Sequence, residues 1–371
     1  MQQSSPTAGS AKVVCFCNTT RVWGGGEKWH YEMAVLLRQR GYRILTITRK
    51  GSALQKKYLR AGMENIAFNI SNFSLLNPLI KNKLQKVFTA HQVTTLIMNL
   101  PGDLKTAGPA ARRAGTGQII YRRGSAIPVK DTALNRYLYR KVADLVLVNS
   151  EATKNTILGN NAHLIPADKI KVIYNGIDLR EFDKRPVDRE KYPRKAPFVI
   201  GNIGRLVPQK GQHLLVEAAA ILKKRNIPFR MLIGGEGKEE DSLRKLIQAK
   251  GLEEEVTLTG FAEDVKSFMA ALDVFALSSY WEGFGYVLAE AMSAAKPVVA
   301  FDISSNPELV CDNTTGLLVP QGNVSAFADN LAWLREHPAE AHAMGRAGRK
   351  RVEQMFSLET ALDKLEQLIS E

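Results

Sequence analysis

The stretch from Ser278 to Asp302 reads S-S-Y-W-E-G-F-G-Y-V-L-A-E-A-M-S-A-A-K-P-V-V-A-F-D. Its apolar and small residues from Tyr286 to Ala295 predict a buried helix, and Pro297 prevents that helix from continuing. The run Val298–Phe301 then predicts a buried strand. The same alternation of strands and helices recurs along the chain, which predicts an α/β protein with parallel sheets.

Two carboxylates of this stretch, Glu282 and Glu290, are separated by seven residues. Gly283-Phe284-Gly285 lies where the helix begins, and glycine lets a ligand approach the backbone closely. The N–H groups at a helix N-terminus attract anions such as a diphosphate. With Glu290 about two turns into the helix, the two carboxylates could hold different ends of one elongated ligand. Alternatively, Glu282 only caps the helix and Glu290 is a solvated helix residue.

The motif Glu282-Gly283-Phe284-Gly285, followed by Glu290, Ala291-Met292 and Pro297-Val298-Val299, resembles the signature of the retaining glycosyltransferases of family 4. These enzymes, also called glycosyl transferases group 1, have the GT-B fold. The resemblance implies two Rossmann-like α/β domains whose parallel sheets face each other across a cleft. It also implies that Glu282 contacts the donor sugar and that Glu290 contacts the donor ribose.

A chain of 371 residues exceeds what one hydrophobic core usually organises, so two domains are expected. The turn Asn175-Gly176-Ile177-Asp178 is similar to the segment that joins the two domains in the family. Residues 1–178 are therefore predicted to form an acceptor-side domain, and residues 179–355 the donor-binding domain. Residues 1–10 are expected to be disordered. By the resemblance, the terminal helix 357–371 packs back onto the first domain.

The charge of the chain is concentrated in its first half. Residues 1–180 carry 27 lysines and arginines against 9 aspartates and glutamates, whereas the remaining residues carry 24 against 28. A basic half suits an anionic membrane surface, an anionic acceptor or a nucleic acid. A basic surface that serves only solubility is the alternative.

The expected location is the cytoplasm, with peripheral contact to the inner face of the cytoplasmic membrane. No apolar run is long enough to span a bilayer. Cys15, Cys17 and Cys311 lie in or beside apolar runs, which predicts buried, reduced thiols. A metal site is not expected, since no histidine cluster accompanies the cysteines.

The first half contains short apolar runs that predict buried strands: Lys12–Cys17, Arg43–Thr48, Thr94–Asn99, Gln118–Tyr121 and Leu145–Asn149. In parallel α/β sheets, ligands collect at the carboxyl ends of the strands. The loops at residues 18–26, 99–103 and 122–125 are therefore the candidate binding loops of the first domain.

Gly25 and Gly26 belong to a Gly24-Gly25-Gly26-Glu27 turn between a strand and a helix. The turn matches neither the dinucleotide-binding fingerprint nor a P-loop. It resembles the glycine-rich first loop of the family, which lies near the donor phosphates, so both glycines are predicted to bind the donor. A flexible turn without a ligand is the alternative.

Asn99, Asp103, Arg122 and Arg123 are the candidate acceptor-binding residues. Two guanidinium groups just past a strand end could bind a phosphate or carboxylate bidentately, whereas a solvated pair is the alternative. Many relatives have a histidine near this point, where this chain has Tyr121-Arg122-Arg123-Gly124-Ser125. This departure argues against the usual histidine contact to the donor and favours an anionic acceptor.

Arg205 and Lys210 flank a predicted loop between a strand and a helix in the second half. Both cations can converge on one anionic group near the helix start, although loop cations are usually only solvated. The segment from Gly204 to Gly211 also resembles the diphosphate-binding segment of the family. Gly235, within Gly234-Gly235-Glu236-Gly237, belongs to a turn similar to the one next to the base pocket in the family.

These features predict a retaining hexosyltransferase that uses a nucleotide diphosphate sugar, with a UDP-sugar favoured. The resemblance implies that no cofactor or divalent metal is needed. Arg205, Lys210 and the N–H groups of Gly283–Gly285 would stabilise charge on the departing diphosphate, and Glu282 would orient the sugar. The expected acceptor is a lipid-linked, lipopolysaccharide or other cell-envelope glycan.

Three other functions remain open at this point. A sugar-nucleotide epimerase could share the same fold. A glycoside hydrolase could use Glu282 and Glu290 as acid and nucleophile, but the adjacent candidate diphosphate site argues against it. A nucleic-acid-binding protein would explain the positive charge, yet no aromatic residues interleave with basic ones to stack on bases.

Overall fold

The computed structural model describes residues 12–159, 161, 163–194 and 196–370. The expected disorder of residues 1–10 therefore lies outside the described residues. The chain forms two compact units. One comprises the residues up to Ile173 together with those from Leu362 onward, and the other is Tyr174–Ala361.

The first unit is a seven-stranded parallel sheet with helices in the connections between its strands. In chain order its elements are β1 (Val13–Asn18), α1 (Gly25–Gln39), β2 (Arg43–Thr48), α2 (Ala53–Arg60), β3 (Glu64–Ala67), α3 (Pro78–Ala90), β4 (Thr95–Met98), α4 (Pro101–Arg113), β5 (Gln118–Arg123), α5 (Ala133–Tyr137), β6 (Leu145–Val148), α6 (Glu151–Leu158) and β7 (Ile170–Val172). The strand order is β3-β2-β1-β4-β5-β6-β7. Every residue of the central strand β1 is buried, as expected for a strand covered on both faces.

The second unit is a six-stranded parallel sheet with the order β10-β9-β8-β11-β12-β13. Its elements are α7 (Leu179–Lys184), β8 (Val199–Ile203), α8 (Gln212–Lys224), β9 (Arg230–Gly234), α9 (Glu240–Ala249), β10 (Val256–Gly260), α10 (Val265–Ala270), β11 (Val274–Leu277), α11 (Tyr286–Ser293), β12 (Val298–Phe301), α12 (Asn306–Leu309), β13 (Gly316–Val319), α13 (Val324–Glu336) and α14 (Pro338–Met355). The terminal helix α15 (Leu358–Ser370) starts in this unit, and its residues from Leu362 onward belong to the first unit.

The two parallel sheets predicted from the sequence are confirmed, and each reverses its strand order once. The reversal lies between β1 and β4 in the first sheet and between β8 and β11 in the second. At such a point the connections leave the sheet in opposite directions, which opens a crevice at the carboxyl ends of the two strands. These two points position the candidate sites.

Several sequence-based expectations need correction. Arg122 and Arg123 are the last residues of β5 and do not lie past its end. Glu290 is the fifth residue of α11, about one turn from the helix start rather than two. The edge strand β3 was missed because its residues are half-buried or exposed and give only a weak apolar pattern.

The charge-rich composition of residues 180–195 predicts an exposed linker, but part of this segment is ordered on the second unit. It includes most of α7, and Phe182 of that helix is buried. Lys266 donates to the carbonyls of Asp183 and Arg185 at 2.7 and 2.6 Å. Composition alone predicted exposure, whereas these specific contacts hold the segment in place.

Helix α14 packs against α11 through a close backbone approach at Gly345. A Cβ atom built on Gly345 would lie 2.0 Å from the carbonyl oxygen of Ala295, which no real Cβ contact allows. Gly348, one turn further on the same buried face, would place its Cβ 3.4 Å from Met292, an ordinary contact. The first glycine is therefore required by packing and the second is not.

We expect Gly345→Ala to lower the free energy of unfolding by about 1 to 3 kcal/mol, because the added methyl group must displace backbone. The matched variant Gly348→Ala should be neutral or stabilising by about 0.5 to 1 kcal/mol, since alanine is the better helix former. Thermal unfolding followed by circular dichroism measures both. Equal melting temperatures for the two variants would contradict this packing assignment.

Candidate active site

The candidate site of the second unit lies where the strand order of its sheet reverses. Lys210 lies in the loop after β8, and Glu282 lies in the loop after the neighbouring strand β11. The Nζ atom of Lys210 is 2.6 Å from Oε1 of Glu282. The side chains are only 14% and 8% exposed, so the pair is largely removed from water. The hydroxyl of Ser279 donates to the same Oε1 at 2.6 Å, which helps to satisfy the buried carboxylate.

Backbone contacts hold the two loops together. Gly211, the N-cap residue of α8, has a φ of +60°, and a Cβ atom there would lie 2.3 Å from the carbonyl oxygen of Ser278. The Ser278 hydroxyl donates to the carbonyls of Lys210 and Gly211 at 3.2 and 2.9 Å. The position of Lys210 relative to the β11 loop is thus fixed by main-chain geometry, which only glycine at position 211 allows.

The segment Gly283-Phe284-Gly285 directly precedes α11, as the sequence predicts. Gly285 is the N-cap residue of the helix and has a φ of +81°, a conformation that favours glycine. The Phe284 side chain is buried, and its ring lies 6.3 Å from that of Tyr174 and 5.8 Å from that of Phe356. Phe284 therefore anchors the turn in the core, and only its backbone could contact a ligand.

Arg205 and Glu290 have different surroundings. Arg205 is exposed and makes no side-chain hydrogen bond or ion pair with any residue that the structure describes, while its carbonyl accepts a bond from Gln212. Glu290 is half-buried on α11. The structure thus brings Lys210 and Glu282 into contact and leaves the Arg205 guanidinium available to an anion. The binding roles of Arg205 and Glu290 stay predictions.

The turn that contains Gly235 packs directly against the β8 loop. Gly235 has a φ of +138°, and a Cβ atom there would lie 1.9 Å from the carbonyl oxygen of Gly204. The next residue, Glu236, accepts a backbone hydrogen bond from Leu206 at 2.9 Å. Glycine at position 235 therefore has a packing reason in addition to its predicted place near the donor base.

The first unit carries a polar cluster at its own point of strand reversal, formed by Asn18, Glu27, Asn99 and Arg122. Glu27 accepts hydrogen bonds from Asn18 at 3.1 Å and from Asn99 at 3.4 Å. Arg122 donates to Asn99 Oδ1 at 2.9 Å, and its guanidinium lies 4.4 Å from the ring centre of Trp29. Asn18 ends β1, Asn99 follows β4 and Arg122 lies in β5, so three adjacent strands supply one polar network, in which Asn99 is the half-buried member.

Gly25 and Gly26 are the first residues of α1. A Cβ atom on Gly26 would lie 2.8 Å from the side-chain nitrogen of Asn99, so a larger residue there would displace Asn99 within the polar cluster. Gly25 is exposed at the N-terminal end of this 15-residue helix, where N–H groups attract anions. The arrangement is compatible with the predicted phosphate contact, which stays a prediction.

Arg122 and Arg123 do not form the paired clamp that the sequence suggested. Neighbouring residues of a strand face opposite sides of the sheet. Arg122 is buried beside Trp29, whereas Arg123 donates to the carbonyl of Ile127 and interacts with the side chains of Tyr121 and Tyr139. Any anion held by guanidinium groups here would contact one of them.

Asp103 is fully buried in the first turn of α4. Its carboxylate accepts hydrogen bonds from the N–H and hydroxyl of Thr19 at 3.3 and 2.5 Å, and from the N–H of Leu100 at 3.3 Å. It therefore ties the loop after β1 to the start of α4. Burial raises the pKa of Asp103 from 3.8 to about 7, although the hydrogen bonds from Thr19 act in the opposite direction.

Sequence reasoning missed Ser279, and it assigned no individual role to Glu27 or to Asn18, which lies in the predicted loop 18–26. Glu27 could have been found, because a carboxylate in the first turn of a helix after a glycine-rich loop is well placed to fix that loop. Ser279 gave no signal, since nothing in the sequence shows that its hydroxyl reaches Glu282.

The cysteines are free thiols, with Cys15 and Cys17 buried. Cys311 is only half-buried, which corrects the expectation that all three are buried. Within the described residues, no three or more histidine, cysteine, aspartate or glutamate side chains gather as they would around a metal ion. None of the helices in the described ranges is both long and apolar enough to cross a membrane.

Comparison with known proteins finds matches to both halves of the chain. Residues 184–351 match the model of the glycosyl transferases group 1, and residues 23–181 match that of glycosyltransferase family 4. A GDP-mannose-dependent alpha-(1-6)-phosphatidylinositol monomannoside mannosyltransferase of Mycolicibacterium smegmatis is 31% identical over 74% of this chain and 76% of its own length. A diphospho-undecaprenol-linked glycan 4-alpha-N-acetylgalactosaminyltransferase of Campylobacter jejuni is 31% identical over 68% of this chain and 67% of its own.

The fold also matches solved structures over nearly the whole chain. HepE of Anabaena, crystallised in complex with UDP, is 26% identical and superimposes with a TM-score of 0.84. The match covers 97% of this chain and 99% of HepE. A glycosyltransferase of Rickettsia africae has a TM-score of 0.87 at 22% identity, which shows the shared fold.

We expect the stability difference between the wild type and Asp103→Asn to depend on pH. Because the pKa of Asp103 is raised in the folded protein, its contribution to stability is complete below about pH 4 and is lost as the pH rises to about 7. The melting temperature of the wild type should therefore fall relative to that of the variant across this range. Burial also lowers the pKa of His30, but that effect is common to both proteins and cancels. A constant difference between pH 4 and 7 would contradict the prediction.

Proposed function

Since this chain belongs to the glycosyl transferases group 1 and is a glycosyltransferase with the GT-B fold, we propose that it transfers a hexosyl group from a nucleotide diphosphate sugar to a cell-envelope glycan. We further propose that the transfer retains the configuration of the sugar. The observation that carries this proposal is the Lys210–Glu282 pair at the strand reversal of the second sheet. A cation beside a carboxylate at this position can serve a diphosphate and a sugar hydroxyl together.

The proposed reaction exchanges one bond of the sugar for another and leaves negative charge that the protein must stabilise. The bond between sugar C1 and the diphosphate oxygen breaks, and a bond from C1 to the acceptor oxygen forms on the same face. The acceptor proton passes to the leaving phosphate oxygen. Negative charge builds on the diphosphate, so cations that are already in place lower the barrier. Lys210 and Arg205 would supply them, together with N–H groups of Gly283–Gly285.

Glu282 would hold the donor sugar through the oxygen that the protein leaves available. Its contacts with Lys210 and Ser279 both involve Oε1. Within the described chain, Oε2 makes no hydrogen bond and could accept one from a sugar hydroxyl. Glu290 on α11 would bind the ribose, and Gly235 would lie beside the base.

We propose a UDP-sugar as donor and an anionic, lipid-linked glycan as acceptor. HepE, which aligns with nearly the whole chain, was solved with UDP, although the mycobacterial relative is named for GDP-mannose. The names of the two curated relatives include phosphatidylinositol and diphospho-undecaprenol, which are lipids with phosphate groups. Gly25 and Gly26 would lie near the donor phosphates. Asn99 and Arg122 would be the side chains that meet the acceptor, with Asp103 and Arg123 supporting their loops.

We also propose that no divalent metal is required, since Lys210 and Arg205 provide positive charge for the diphosphate. The proposed location is the cytoplasm, which the free thiols Cys15 and Cys17 favour. The basic first unit would dock on the anionic inner face of the membrane.

Lys210→Ala is expected to reduce the transfer rate by about 10²- to 10³-fold, because it removes a preorganised charge from the leaving group. The matched control is Lys250→Ala, which breaks the exposed ion pair of Lys250 with Glu217 at 2.7 Å in the same unit. Initial rates with radiolabelled donor measure both, and circular dichroism verifies folding. A folded Lys210→Ala enzyme with a rate close to that of the control would remove Lys210 from the mechanism.

UDP should raise the melting temperature more than GDP does at equal concentration. At about 100 times its dissociation constant, a ligand adds about 2.7 kcal/mol of stability, which is readily detected in a thermal-shift assay. We expect the UDP shift to persist in EDTA and to decrease in Arg205→Ala. A larger shift with GDP would reassign the base, and loss of the shift in EDTA would show that a metal is needed.

A further inference from the structure

The first unit exposes a run of large apolar side chains just before and within α3. The exposed fractions of Phe73, Leu76 and Leu79 are 82%, 76% and 69%. Single exposed apolar residues are common on soluble proteins, but three highly exposed ones within seven residues are more than scattered exposure and call for a partner. We call residues Asn72–Lys86 the α3 surface.

Local hydrogen bonds hold these side chains outward. The hydroxyl of Ser74 accepts the N–H of Ser71 at 3.0 Å, and the turn Ser74–Leu76 follows. Asn77 then caps α3 by accepting the N–H groups of Leu79 and Ile80 at 3.0 and 3.3 Å, with Pro78 as the first helical residue. The surface is therefore preformed and does not depend on a disordered loop.

The opposite face of α3 is anchored in the core of the unit. Leu84 and Phe88 are buried in the first hydrophobic core. Leu79, Lys83 and Lys86 are spaced at i, i+4 and i+7, so they share the exposed face. The helix is amphipathic, but its outer face combines apolar residues with cations instead of mixed charges.

No acidic residue counters these cations along the chain. Between Glu64 and Asp103 the sequence contains no aspartate or glutamate, whereas Lys81, Lys83 and Lys86 all lie in α3. A protein partner or a second copy of this chain would have to cover the apolar side chains and neutralise the lysines with its own carboxylates. An anionic bilayer supplies both an apolar layer and a dense array of phosphates.

We infer that the α3 surface is the part of this enzyme that docks on an anionic lipid bilayer. The inference rests on the proposed membrane association and specifies where it occurs. Phe73, Leu76 and Leu79 enter the boundary between headgroups and acyl chains, while Lys83 and Lys86 bind lipid phosphates.

The position of this surface connects it to the polar cluster of the same unit. A Cβ atom built on Gly102 would lie 3.5 Å from the carbonyl of Ser71, so the turn before α3 packs on the start of α4. Asn99 lies in the connection from β4 to α4, and Asp103 lies in the first turn of α4. A lipid-linked acceptor can thus approach the candidate acceptor residues while its lipid stays in the bilayer.

The test is co-sedimentation of the full chain with vesicles of phosphatidylcholine, with and without phosphatidylglycerol. One variant, Lys83→Glu/Lys86→Glu, reverses the charge of the surface, and its charge-matched control is Lys169→Glu/Lys171→Glu, at and beside the edge strand β7. The second variant, Leu76→Ser, is matched by Leu59→Ser at another exposed leucine, on α2. The thermal shift produced by UDP is measured on every protein.

The wild type and both controls should bind phosphatidylglycerol vesicles. Lys83→Glu/Lys86→Glu should bind more than about tenfold more weakly, and Leu76→Ser about fivefold or more. The UDP shift should be unchanged in all of them, because no altered residue belongs to the donor site. If UDP does not raise the melting temperature of the wild type, the proposed donor is contradicted. The vesicle binding of the α3 variants and their controls still decides the docking inference.

Three outcomes would overturn the inference. The first is that the wild type shows no preference for phosphatidylglycerol vesicles. The second is that the controls lose binding as much as the α3 variants do, which would mean that overall charge or hydrophobicity decides. The third is that the α3 variants keep vesicle binding but lose a self-association seen by analytical ultracentrifugation, which would identify a second copy of this chain as the occupant.

Discussion

A lysine and a glutamate that lie 72 residues apart in sequence meet at 2.6 Å in a largely water-excluded position. A buried ion pair does not stabilise a fold by itself, because desolvation offsets most of the attraction unless further hydrogen bonds satisfy both groups. Here Ser279 provides one such bond, and the backbone contact between Gly211 and Ser278 sets the distance between the loops. The pair is therefore better understood as a preorganised arrangement of charges. Its unfavourable desolvation is offset by the binding that the arrangement allows.

The two units repeat one architectural plan and use it for different chemistry. Each is a parallel sheet with one reversal of strand order, and each gathers polar side chains at the carboxyl ends of the strands flanking that reversal. In the second unit the result is a cation beside a carboxylate. In the first it is a network in which Arg122 lies on Trp29 and contacts Asn99, which in turn contacts Glu27. A guanidinium stacked on an indole keeps its charge, and the stacking restricts its orientation. This suits recognition of an anion with a fixed orientation.

Much of this architecture could be predicted from the sequence. Strands such as Val298–Phe301 are continuous apolar runs bounded by breakers, so their limits were correct, and the motif around Glu282 identified the fold. Spacing could not show that Arg122 and Arg123 lie within β5, because the strand extends beyond its apolar core into charged residues. Spacing also could not show that Asp103 is buried and accepts a hydrogen bond from Thr19, or that Ser279 donates to Glu282. Both contacts depend on how the loops pack. Local pattern determines the elements, and tertiary packing determines the environment of each polar side chain.

The chain passes between the two units twice, after Ile173 and again after Ala361, so the second unit is an insertion within the first. Its two ends are neighbours: Ile177 donates its N–H to the carbonyl of Phe356 and accepts the N–H of Leu358, and a side chain on Gly176 would collide with Leu358. An insertion whose ends are adjacent can be replaced as one cassette without disturbing the host. Under the proposed roles, recombination between relatives could thus exchange sugar specificity in a single event, while the unit that carries the α3 surface and the candidate acceptor residues is inherited intact.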